Sequence, residues 1–459
     1  MSGFRRWRQR LTVPQFTVVT GLLVIAAGTL LLASPLCSTA AVGPWQALFT
    51  VTSAITVTGL SIIDVGKDLT VFGQIVLAAL ILTGGLGLMA ITTFLQGFVQ
   101  GRSGLRERLD RGRALDEFGV GGIGSTFHQI LVIAAVLIGI GTVVLYGFGF
   151  TDIREPGPRL WASLFHCISA YNNAGFGLCA NNLVDYRGNA VVNLVIGLLI
   201  VLGGIGWRVA NDLWQNRWRL LRIQRLSLHT RLVIRTTVAL ILIGAVGLLF
   251  TEHFAVEGVV SDLSWWEKVQ VTLFQSVTTR TAGFNTIPLS LDTLSDAGLL
   301  LMMVLMFIGA SPGGTGGGIK TTTFAALVAA TRSTLNDEEA VVVRNREIPA
   351  RVVLRAIGVA LASALFVLVM TLVLALGRTT DGIPGSEAFT FLEKLFTCIS
   401  AFGTVGLDVG VTAKLNPWGQ AVLMVCMFVG RIGILLLLSA IYGSRPQNRV
   451  GYPREEIYL

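Results

Sequence analysis

The feature that most narrows what this chain can fold into is an interruption. Residues 308–323, Ile-Gly-Ala-Ser-Pro-Gly-Gly-Thr-Gly-Gly-Gly-Ile-Lys-Thr-Thr-Thr, separate the apolar runs 299–307 and 324–330. An unbroken run there would cross a bilayer as a helix, but six glycines and a proline remove helical propensity at mid-span. Freed amide and carbonyl groups find no partner in hydrocarbon, so the segment must pack inside protein or line a wet path. That points to transport.

The rest of the chain is membranous. Charged residues make up 13% of 459, against about 25% in soluble domains, and the mean hydropathy is +0.71. Charge-poor runs at 15–33, 71–95, 130–150, 191–207, 233–251, 299–327, 352–377 and 419–443 are long enough to cross, or nearly cross, a bilayer, which gives eight spans. Arginine crowds alternate gaps, at 5–10, 102–113, 208–235, 332–351 and 445–454, while 34–70, 151–190, 252–298 and 378–418 hold few basic residues. By the positive-inside rule both termini are cytoplasmic in a multi-pass protein of the inner (plasma) membrane. No small-residue cleavage site clearly follows the basic segment 4–10, so the N-terminus is expected to be retained.

The net charge of +9 is spread over short loops rather than gathered on a soluble face, so membrane lipid, and no nucleic acid, is the expected surface partner. The five cysteines (37, 167, 179, 398, 426) include no C-x-x-C, and the four histidines (128, 166, 229, 253) are scattered. No transition-metal site, disulfide framework or catalytic cluster is indicated, so the chain is not expected to be an enzyme.

Each of the four outer gaps carries a second apolar stretch, too short to cross, that ends in a glycine-bearing polar cluster. Leu48, Leu164, Leu273 and Leu395, each followed by Phe, precede Gly59, Gly175, Gly283 and Gly406 by ten or eleven residues. Some 24–28 residues further on come Gly84-Gly85, Gly203-Gly204, Gly309 and Gly430. The unit is span, re-entrant helix, glycine turn, span, and two spans per unit give every unit the same orientation. The fold class is therefore an all-α polytopic membrane protein of four parallel helix–pore-loop–helix repeats around one central pore. The repeats run 15–100, 101–210, 211–330 (with the broken second helix) and 331–445, between a cytoplasmic N-terminus (1–14) and a cytoplasmic C-terminal tail (446–459).

A short helix followed by such a cluster can turn into an extended strand whose carbonyls face the axis. Four strands would supply rings of oxygens that replace the water shell of a monovalent cation. The candidate ion-binding residues are Val57, Thr58 and Gly59; Asn173, Ala174 and Gly175; Thr281, Ala282 and Gly283; and Thr404, Val405 and Gly406. Glycine is expected to supply the positive φ that aims successive carbonyls one way. No acidic residue lies inside the clusters; Asp64 and Asp408, just beyond two of them, either enrich cations at the mouth or are solvated loop charges.

Beneath this filter the broken span, read as the only one interrupted, supplies an irregular loop that can obstruct the path and move aside. Its candidate gate residues are Gly309, Ser311, Pro312, Gly313, Gly314, Thr315, Gly316, Gly317, Gly318 and Lys320, with Arg431 from the fourth repeat. Lys320 and Arg431 are the basic residues nearest mid-span, where a charge normally faces a cavity, another charge or carbonyls. Arg431 is expected to line the cavity and hold the loop's carbonyls, while snorkelling to the cytoplasmic surface is the alternative for Lys320. The loop also approaches a phosphate-binding G-x-x-x-x-G-K-[ST] pattern, but Ile319 separates Gly318 from Lys320 and no strand precedes it.

These clusters, with Gly-Ala-Ser-Pro-Gly-Gly-Thr-Gly-Gly-Gly-Ile-Lys-Thr-Thr at 309–322, resemble the hallmarks of the Trk/Ktr/HKT superfamily of potassium transporters over nearly the whole chain. The similarity is greatest to the membrane subunit of bacterial Ktr systems, since Trk-type members usually carry two more N-terminal spans. The resemblance implies K⁺ as permeant ion, a gating loop, a homodimer and a cytoplasmic ring of nucleotide-binding regulatory subunits, with no cofactor in this chain and nucleotide only on that partner. Gly59 stands where a serine accompanies sodium preference in the plant branch, which favours potassium uptake. The rival is an alternating-access cation symporter, a class expected to break spanning helices at corresponding positions of two halves.

Overall fold

The computed structural model describes residues 13–39, 42–85, 123–216, 226–254, 259–291, 293–338, 340–343, 346–377 and 389–442. The basic gap 102–113, the end of the run 71–95, the C-terminal tail and nearly all of the N-terminal segment lie outside them. The described chain is mostly helical, and one succession of elements recurs four times. A long helix comes first: α1 (Val13–Leu32), α4 (Ile123–Val144), α8 (Leu228–His253) and α12 (Ala350–Leu376). A short buried helix follows: α2 (Pro44–Thr56), α5 (Pro156–Tyr171), α9 (Trp265–Thr278) and α13 (Phe391–Gly403). An apolar helix closes each unit: α3 (Val71–Gly85), α6 (Ala190–Gly204), α10 (Asp296–Phe307) and α14 (Pro417–Ile432). Shorter helices α7 (Trp207–Gln215), α11 (Thr321–Leu335) and α15 (Ile434–Tyr442) extend three of these, and β1 (Val342–Val343) with β2 (Arg346–Glu347) make a small hairpin after α11.

Local chemistry starts the short helices. Proline opens α2 and α5, and capping boxes, Ser264 with Glu267 and Thr390 with Glu393, open α9 and α13. At 13 to 16 residues they rise about 20–24 Å, too little to cross a bilayer.

The four long units Gln15–Leu32, His128–Gly149, Leu228–His253 and Ala350–Leu376 are apolar and long enough to span, with only 22–28% of their residues buried. They form the outer wall. The closing helices are shorter, and each packs on the next unit's short helix: α3 on α5, α6 on α9, α10 on α13, and α14 back on α2. Tryptophans pin two of these seams, Trp161 Nε1 donating to Gln74 Oε1 at 2.7 Å and Trp45 Nε1 to Gln420 Oε1 at 2.6 Å. The cores interlock likewise: Phe49 and Leu60 of the first unit join the cluster of the last two.

One expectation is overturned. The span containing 308–320 is not the only one broken, because α6 and α7 meet at 97° and α14 stops at Gly433, whose φ is +89°. The cause is local: Gly206 (φ +88°) and Gly433 recur two residues after Gly204 and Arg431. The earlier glycines stay helical. Gly84, Gly203 and Gly430 instead lie flush against the carbonyls of Ile55, Tyr171 and Phe402, where a Cβ would overlap the oxygen.

Candidate functional site

The short helices end in one shared conformation. Val57, Asn173, Thr281 and Thr404 all have positive φ (56°, 57°, 72° and 51°), and two residues later Gly59, Gly175, Gly283 and Gly406 do too (94°, 68°, 75° and 89°). Left-handed backbone is uncommon for non-glycine residues and rarest for β-branched ones, so strain of about 1–3 kcal/mol at each such site is held by the surrounding structure. Thr58, Ala174 and Val405 amides reach back to Ser53, Ser169 and Ser400 carbonyls at 2.8 Å, and the Ala282 amide to Thr278 at 3.0 Å. Ser53 and Ser400 hydroxyls also accept from the Gly59 and Gly406 amides, at 3.0 and 3.1 Å.

The four turns meet each other. A Cβ on Gly59 would lie 2.5 Å from the Ala174 carbonyl oxygen, one on Gly175 2.9 Å from that of Ala282, and one on Gly283 2.5 Å from that of Val405. One on Gly406 would overlap the Thr58 oxygen, so the succession closes on itself. Four glycines and four carbonyls, from residues far apart in the chain, thus make a closed succession of glycine-to-carbonyl contacts.

The loop at 308–320 lies directly against this ring. It forms a narrow ribbon, with Ile308 and Ile319 bridged in parallel and the Gly309 amide donating to the Ile319 carbonyl at 2.8 Å. Ser311 and Thr315 amides donate to the Gly204 and Gly203 carbonyls at 3.0 and 3.2 Å, and the Trp207 amide returns a bond to Gly313 at 3.2 Å. The bend between α6 and α7 frees those carbonyls, and the loop satisfies them. Pro312 O lies 2.5 Å from where a Cβ on Gly206 would be, and Gly314 lies against Gly204.

Side chains tie the loop upward. Thr315 Oγ1 donates to Asn173 Oδ1 at 3.0 Å, and the Gly317 amide to Thr404 Oγ1 at 2.9 Å. Gly316 fits under the Thr281 hydroxyl, where no Cβ would fit. Arg431 donates to the Thr315 and Gly84 carbonyls, and Lys320 Nζ to the Gly316 carbonyl at 2.8 Å. Gly318 (φ +66°) makes the turn before Ile319. The second and fourth units therefore bond the third unit's loop directly, and Arg431 links it on to Gly84 of the first.

Arg280 was not singled out from the sequence. It is 7% exposed, and its Nη2 donates to the Gly309 carbonyl at 3.0 Å. Its signal was a charge inside one of four glycine-bearing polar clusters, the other three carrying none. Asp64 and Asp408 do not face the ring's backbone through their described bonds: Asp64 caps a helical turn and pairs with Lys67 at 3.5 Å, and Asp408 accepts from the Val411 and Thr412 amides. Among the described residues, no three His, Cys, Asp or Glu side chains come together.

The chain is 35% identical, over 98% of its length and 97% of the relative's, to the Ktr system potassium uptake protein B of Bacillus subtilis. It is 32% identical to the Vibrio alginolyticus protein of the same name, over 97% of this chain and 94% of that one. It is 31% identical to the potassium/sodium uptake protein NtpJ of Enterococcus hirae, over 99% of each. The crystal structure of the potassium transporter TrkH from Vibrio parahaemolyticus superimposes with a TM-score of 0.71 at 20% identity, covering 93% of this chain and 83% of that one, which speaks for the fold. The family described as "TrkH: Cation transport protein" matches residues 9–449, and the chain is a multi-pass membrane protein belonging to that family.

Proposed function

We propose that this chain takes up potassium through a central pore bounded by its four units, with K⁺ stripped of water and held by the carbonyls of Val57–Gly59, Asn173–Gly175, Thr281–Gly283 and Thr404–Gly406. The closed ring of left-handed turns carries this reading: alternate residues with positive φ aim successive carbonyls at one centre, the requirement for replacing a hydration shell. The 308–320 loop is the gate, closed by its bonds to Asn173, Thr404 and Arg431. Relatives named as Ktr system and as potassium/sodium uptake proteins support cation uptake and leave the choice of ion to the filter. The chain works as a homodimer in the plasma membrane, both termini cytoplasmic, on a nucleotide-binding ring that carries the only nucleotide.

The test is uptake of K⁺ or Rb⁺ into proteoliposomes under an imposed gradient, with wild type beside Gly59→Ser. Wild type is expected to prefer K⁺ to Na⁺, and the serine, pressed 2.5 Å from the Ala174 carbonyl, to lower that ratio by about tenfold. No uptake, with or without the regulatory partner, would sink the transport reading. Equal selectivity in both proteins would undo the filter assignment.

A second reading gains from the breaks at Gly206, 308–320 and Gly433, since corresponding broken helices suit alternating access. Uphill K⁺ uptake driven by a second cation, with fixed stoichiometry, would favour it. Flux that only follows the K⁺ gradient favours the pore.

A further inference from the structure

Behind the gate, between α6, α8 and α9, lies a partly enclosed cavity of about 20 Å³, bordered by Arg280, Thr237, Gly204, Ala310, Ile200 and Ile241. Two of its walls carry polar groups left without a partner. Arg280 Nη1 has none although Nη2 holds the Gly309 carbonyl, and Thr237 Oγ1 has none either. Both residues are more than nine-tenths buried, at 7% and 6% exposure. Among the described residues no carboxylate lies within salt-bridge distance of Arg280. An uncompensated guanidinium at membrane depth is costly, and a cavity of this size admits one small ligand.

We propose that this cavity is a binding site for a small monovalent anion of halide size, held by Arg280 Nη1 and the Thr237 hydroxyl. Water would satisfy the two donors and leave the charge uncompensated; a halide does both. The isoleucine walls suit a large, weakly hydrated ion. The bound anion fixes Arg280 over the Gly309 carbonyl, at the point where α10 gives way to the loop. Its consequence for flux, which rests on the reading of that loop as a gate, is to favour the closed arrangement.

The probe is bromide. Full-length protein prepared in bromide is expected to show an anomalous peak between Arg280 and Thr237. Exchanging gluconate for chloride or bromide is expected to raise the midpoint of thermal unfolding in a saturable way. Thr237→Val, which keeps the shape of the side chain, should raise the half-saturating halide concentration by about fivefold, and Arg280→Gln should abolish the response. In proteoliposomes, wild type in gluconate should show a higher basal K⁺ flux than in chloride. Density explained by water alone, or a halide response unchanged in Thr237→Val and Arg280→Gln, overturns the site. A bromide peak with no K⁺ flux in any anion would leave the site standing and remove the transport reading.

Discussion

The ring of turns and the loop beneath it are both rich in glycine, yet they use it oppositely. In the ring each unit contributes the same backbone shape, and the partners are main-chain carbonyls and serines of its own short helix. In the loop one unit contributes everything, and the tethers come from its two neighbours: Asn173 and the freed carbonyls of Gly203 and Gly204 in the second unit, and Thr404 and Arg431 in the fourth. On the proposed reading, a filter that holds an ion equally on all sides benefits from fourfold equivalence, and a gate that moves benefits from belonging to one unit and being held by individually weak bonds to its neighbours.

Substitution can break that contrast. The largest effect is expected from Gly406→Ala, which combines a φ of +89° with overlap of the Thr58 oxygen. At about 3 kcal/mol of strain, uptake of folded protein should fall by about a hundredfold. Deleting 313–318 from the loop should do the reverse and raise basal Rb⁺ flux by about thirtyfold, the summed loss of several net hydrogen bonds; unchanged or lower flux in folded protein would count against a gate. Arg431→Gln removes charge-assisted bonds to Thr315 and Gly84 and should raise basal flux by about tenfold, in proportion to ~1.5 kcal/mol. Thr404→Val removes the acceptor for the Gly317 amide and should raise it by about fivefold. A ring-like response to Thr404→Val, with lost uptake rather than leak, would show that tether and filter are not separable.

Much of the scaffold could be read in advance. Charge-poor runs marked the long helices, and the matched Leu-Phe pairs each fall within a short helix, α2, α5, α9 or α13. Less visible were the left-handed Val57, Thr281 and Thr404, since β-branched residues are the last to be expected at positive φ and only the packing around them imposes it. The breaks at Gly206 and Gly433 were hidden by the glycines just before them, which serve close helix contact instead. Gly206 is explained by a distant partner: its bend leaves carbonyls that the third unit's loop satisfies, and no local pattern announces that pairing. Arg280 follows the end of α9, and its partner, the Gly309 carbonyl, exists only because α10 breaks 29 residues later, a pairing equally silent in the local sequence.

The seam between α14 and α2 also has a consequence for how the molecule is made. Trp45 and Gln420, bonded at 2.6 Å, are separated by 375 positions, so the first quarter emerges from the ribosome long before its neighbour exists. Until synthesis is nearly complete, the assembly is an open arc whose short helix and left-handed turn have one flank uncovered. Polar backbone in that flank cannot be left to lipid, and contacts of such high sequence separation form late. Helix α14 therefore acts as a keystone: a chain cut short before Gln420 lacks the partner that closes the circle on α2.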